Sequence, residues 1–128
     1  MKITIDTISH NNQRYNTVGD WLYDEKGISV LVSETNNNDY NFLVALHELI
    51  EAYLCKKRGI KEEVVTEFDI EYEKRCRPED KNGPGDAWNA PYGNEHKFAG
   101  LIEMMMAYEL RVDWEKYEES LDKLEYKK

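Results

Sequence analysis

The sequence predicts a single α+β domain in which a small N-terminal antiparallel β-sheet of two or three strands is followed by four α-helices. Three observations carry this. Apolar residues recur with period two over the first third of the chain and with helical period from about residue 40 onward. Capping and breaking residues then divide the helical part into four segments. The length of 128 residues fits one domain spanning 1–128, able to bury one core without staples.

The first strand is "KITIDTI", where Ile3 and Ile5 alternate with Thr4 and Asp6 before Ile8. "RYNTVGDWLY" and "GISVLVSE" flank the turn "DEKG" and predict a hairpin, with Gly27 expected at positive φ. "TNNNDY" is a polar loop whose Asn38 or Asp39 is suited to cap the next helix.

That helix is expected from about Tyr40 to Lys57, with Gly59 as its C′ residue and Lys56, Lys57 and Arg58 near its negative end. A second helix, roughly 61 to 76, has Val64, Val65, Phe68 and Tyr72 as its buried stripe. The next seventeen residues, "RPEDKNGPGDAWNAPYG", hold all three prolines. A connection this long inside a compact domain is often functional, and its Trp88 and Tyr92 are placed either to wall a cleft or to cover the core. A third helix runs from about Asn94 to Leu110. Asp113 can cap a fourth, whose apolar stripe is Trp114, Tyr117, Leu121 and Leu124.

Lys and Arg total 17 against 26 Asp and Glu, a net charge of −9. A surface of this sign is unsuited to a nucleic-acid backbone but attracts cations. Mimicry of DNA would want carboxylates along one exposed face, whereas these are spread widely. No apolar run approaches a membrane span, and the N-terminus lacks a signal-peptide core, so the expected compartment is the cytoplasm. Cys55 and Cys76 form no CxxC pair and are expected to be reduced, buried and inert. Nine tyrosines could support an interface or simply fill core and rim positions; the oligomeric state is not set by the sequence.

The first helix, "FLVALHELIEAYLC", is apolar on nearly every side yet carries three ionisable residues. His47 and Glu51 stand one turn apart on a common apolar face, and Glu48 lies roughly 100° round. Buried ionisable groups need partners. The pair could be a hydrogen-bonded structural unit, a chelating pair for a metal, or a metal-free acid and base. The third helix adds weight to the metal. His96 and Glu103 share one of its faces with the small residues Ala99, Gly100 and Ala107. Gly100 costs a helix about 1 kcal/mol relative to Ala, which close packing of a neighbouring helix would explain. Two apolar helices, each with one His and one Glu on a stripe, bring two imidazoles and two carboxylates together when those stripes pack. Sequence leaves a metal-free His–Glu network as the alternative.

"ALHELIEA" resembles the active-site helix of zincin metalloproteases, in which HExxH follows a small sheet and a later helix brings the third ligand. The resemblance implies His47 as first ligand, Glu48 as general base and His96 as third ligand, with Glu51 where the second His would stand. Glu103 would be a fourth ligand or an acceptor orienting an imidazole. The implied cofactor is a divalent metal, with Zn first and Mn or Fe as alternatives, and the implied reaction is hydrolysis of a peptide-like substrate. Glu51 departs from the consensus at a defining position, although a carboxylate is a competent zinc ligand. The chain also resembles short uncharacterised bacterial and prophage proteins that share the HELIEA segment. That likeness implies the other expectation, a non-catalytic helical interaction domain of a mobile element. Asp69, off its helix's apolar stripe, is expected to be a solvated surface acid.

Overall fold

A computed structural model describes residues 1–75 and 83–126. Strands β1 (Lys2–Ile8), β2 (Gly19–Tyr23) and β3 (Gly27–Ser33) precede helices α1 (Asn38–Lys57), α2 (Glu62–Arg75), α3 (Gly93–Glu109) and α4 (Trp114–Tyr126). The α+β class and the order of elements agree with the sequence reading. Cys55 is buried and free, as expected, while Cys76 lies outside the described residues.

The sheet is mixed rather than wholly antiparallel. Its strand order is β1-β3-β2; β2 pairs antiparallel with β3, but β1 pairs parallel with it. The reason lies in the crossing between β1 and β2. β1 ends opposite Ser33 and β2 starts opposite Val32, so the chain turns back over the same end of β3. This leaves a one-strand gap that the hairpin fills with β3. Side chains pin the crossing: His10 contacts the Ser33 hydroxyl at 2.8 Å and Asn16 at 2.9 Å, and the Gln13 amide donates to Ser33 at 3.1 Å. Period-two alternation reports which face is apolar and says nothing of strand direction.

Gly27 is a glycine for a reason other than positive φ, which among described glycines occurs at Gly59 alone. Gly27 sits opposite Lys2, and a Cβ there would lie 1.7 Å from the Lys2 carbonyl oxygen. The hairpin is closed instead by Asp24, whose carboxylate accepts from the amides of Lys26 at 2.8 Å and Gly27 at 3.1 Å.

Helix α1 starts two residues earlier than expected, capped not by Asn38 or Asp39 but by Asn37, whose side chain accepts from the amide of Tyr40 at 3.1 Å. Its inner side packs on the sheet through Leu43, Val44 and Ala52 against Trp21, Ile28, Val30 and Val32. Helix α3 runs antiparallel along α1: Arg58 meets Glu95 at 2.6 Å towards one end, and His47 meets Glu103 at 2.6 Å towards the other. Fully buried Ala99 and nearly buried Ala107 are the small residues on the inner side of α3.

Two expected packing residues behave otherwise. Val64 is 45% exposed, so the inner stripe of α2 begins at Val65. A Cβ on Gly100 would meet nothing within 4 Å, so close packing does not account for that glycine. Gly100→Ala is therefore expected to stabilise the fold by about 1 kcal/mol. A lower urea midpoint for the variant would contradict this. Among the described residues, no helix is long and apolar enough to cross a membrane.

Candidate metal centre

Helical periodicity places His47 and Glu51 on the side of α1 that meets α3, and α3 presents His96 and Glu103 to the same point. The His47 and His96 rings lie 4.7 Å apart. His47 Nε2 is 3.1 Å from Glu51 Oε2 and 3.2 Å from His96 Nδ1, and His96 Nδ1 is 3.0 Å from the same Glu51 oxygen. These three donors could hold a metal ion.

The spacing bears on which of the earlier alternatives fits. Bonds of ~2.0–2.1 Å to a tetrahedral ion separate neighbouring donors by ~3.3–3.4 Å. The observed triangle has nearly those edges. Hydrogen bonds alone serve it poorly. If both imidazole nitrogens donate to Glu51, the 3.2 Å contact between them sets two donors against each other. A cation at the centre makes all three contacts ordinary spacing between ligands.

Each donor is held from behind. His47 Nδ1 lies 2.6 Å from Glu103 Oε1, so Glu103 stands on the far side of the imidazole from the triangle. Glu103 in turn accepts from the Tyr117 hydroxyl at 2.5 Å. The remaining oxygen of Glu51 accepts from the indole N–H of Trp21 at 3.0 Å, which ties it to strand β2. His96 Nε2 is 3.5 Å from Asp86, and the His96 ring packs so near Gly85 that a Cβ there would come within 2.4 Å of it. Acceptors behind ligating imidazoles fix ring orientation and raise basicity.

The electrostatics express a demand for positive charge. Burial opposes ionisation of Glu51, but hydrogen bonds from His47 and His96 outweigh it and hold its carboxyl at about 2. Burial likewise opposes the charged form of His96, yet Asp86 and Glu51 raise it to about 9. His47 is raised too, Glu103 and Glu51 outweighing burial. Glu48 differs. Burial, and then the charge of Glu51, push its carboxyl well above the usual range.

Glu48 is not one of the three donors but lines the same cleft of about 210 Å³ as His47, Glu51 and His96. Gly19 of β2 makes room for it, since a Cβ there would sit 2.5 Å from Glu48 Oε1. Tyr92 is buried and lines the cleft, whereas Trp88 stands 96% exposed, so only one of the two loop aromatics contributes a wall.

Asp69 corrects the sequence reading. It is buried, not solvated, and lines the same cleft. It accepts from the Tyr15 hydroxyl at 2.9 Å and also from that of Tyr92. Burial raises its carboxyl from 3.8 to about 7, against the lowering effect of both hydroxyls. An acid whose folded pKa is raised holds its proton more tightly when folded. Its contribution to stability is therefore present below about pH 4 and lost as pH climbs to about 7. Asp69→Asn should flatten this part of the stability profile. Urea titrations at pH 5 and pH 8 check it, and an equal pH dependence in both proteins would refute the assignment.

Comparison of the chain with family models, with curated proteins and with solved structures finds no match.

Proposed function

We propose that this protein is a metal-dependent hydrolase of minimal zincin-like design, with His47, Glu51 and His96 holding the ion and Glu48 acting as the base. The observation that carries the reading is the donor triangle with edges of 3.0–3.2 Å, with a further carboxylate, Glu48, lining the same cleft. A divalent ion, zinc first and manganese or iron next, supplies Lewis acidity and lowers the pKa of water.

The chain's own groups do the rest. His47 is oriented by Glu103, and Glu51 by Trp21. Glu48, whose burial raises its proton affinity, takes a proton from the attacking water and delivers it to the leaving group. A peptide-like substrate suits the surroundings. β2 is an edge strand, and its residues Gly19, Asp20 and Trp21 line the cleft beside Glu48. An extended backbone laid there would run beside a strand edge that pairs with no further strand among the described residues, although the Gly19 carbonyl already accepts from the Thr17 hydroxyl at 2.7 Å.

Elemental analysis of protein purified without chelator or nickel resin tests the metal. About one equivalent of Zn, Mn or Fe per chain is expected, lost in His47→Ala and in His96→Ala. Metal-free wild type, together with a His47→Ala variant that folds normally, would leave the cluster as a structural network in an interaction domain.

A further inference from the structure

Helix α3 is apolar on the side turned away from α1 as well as on the inner side. Phe98, Leu101, Met104, Met105 and Tyr108 are between 49% and 83% exposed. These five large side chains present on the order of 600 Å² of apolar area. That is the upper end of the largest apolar patch on a typical monomer, which is often functional, and most of the roughly 800 Å² that a stable interface takes from each partner.

The pattern on this face says what covers it. Lys97, Leu101, Met105 and Glu109 form one row at four-residue spacing along α3, centred on position 103. Its two ends carry opposite charges, and both Lys97 and Glu109 are exposed with no ion pair among the described residues. Phe98 and Tyr108 flank the row at equal distances from the same centre. In the commonest helix packing, with axes crossing near −50°, the four-residue rows of two helices lie along each other. Two copies of this row running in opposite directions set each Lys97 beside Glu109 of the partner subunit, with Leu101 and Met105 between. The face is complementary to itself, which a two-fold dimer requires.

We infer that the protein forms a two-fold dimer through the outer face of α3, a second copy of the chain burying the row from Lys97 to Glu109. The metal-site reading is not needed for this. The residues that α3 gives to that site, His96 and Glu103, lie on the opposite side of the helix, which faces α1.

Sedimentation velocity of the full chain, at concentrations on the order of 10–100 μM, tests the proposal. The expected mass is twice 15.1 kDa. Leu101→Glu, a change at a position 60% exposed within the chain, should give a folded monomer by circular dichroism. Lys97→Glu should weaken the dimer about tenfold by placing like charges at both ends, and adding Glu109→Lys should restore it. Three outcomes would overturn the inference: a wild-type monomer throughout the range, a dimer indifferent to Leu101→Glu, or a double charge swap no tighter than Lys97→Glu alone. A monomer that uses this face on another protein or on lipid vesicles falls under the first of these.

Discussion

Glu48→Gln is expected to reduce hydrolysis of a susceptible peptide by about 10²–10⁴-fold while the ion stays in place. The two shapes are nearly the same, so the cleft beside Gly19 still accommodates the side chain. What is lost is the oxygen that accepts a proton. Glu48 is not in the donor triangle, so metal content should match that of wild type. Elemental analysis and a peptide-cleavage assay on the same preparation separate the two effects. If the variant loses its metal, Glu48 belongs to the ligand set. If it keeps full activity, the assignment of the base is wrong.

Gly27→Ala is expected to cost on the order of 3 kcal/mol or more, the upper range for overpacking. The new Cβ would sit 1.7 Å from the Lys2 carbonyl oxygen, where the obstacle is backbone and not a side chain that can swing aside. Relief requires β1 to separate from β3, breaking the parallel ladder. Gly83→Ala is the control, because a Cβ there meets nothing within 4 Å. The urea midpoint should drop sharply in the first variant and hardly move in the second. Equal midpoints would show that β1 can shift freely.

The parts of the site visible in the sequence are those that helical periodicity reports. His47 and Glu51 lie one turn apart, and His96 and Glu103 share a face, because both pairs ride on long regular helices. Two apolar helices close in one domain then bring them together. The supports behind the ligands escaped this logic. Trp21 reaches Glu51 from a strand thirty residues earlier, and Tyr117 reaches Glu103 from the next helix. No local pattern encodes such contacts. Asp69 misled for a related reason. Its neighbours Glu67, Glu71 and Glu73 make the helix look solvated, but Tyr15 and Tyr92 arrive from distant segments and enclose it. Gly27 shows the same limit in the sheet. A glycine in a turn suggests unusual backbone angles, yet here it marks the passage of another strand.

Because every member of the donor triangle is borne by one of two rods locked side by side, the aperture they define has little freedom to widen. Calcium, which seeks six to eight oxygens at about 2.3–2.6 Å, finds two nitrogens and one oxygen in too tight a ring. If the site is loaded as proposed, this spacing would favour small transition ions over calcium, and exchanging one such ion for another should leave the polypeptide's shape unaltered.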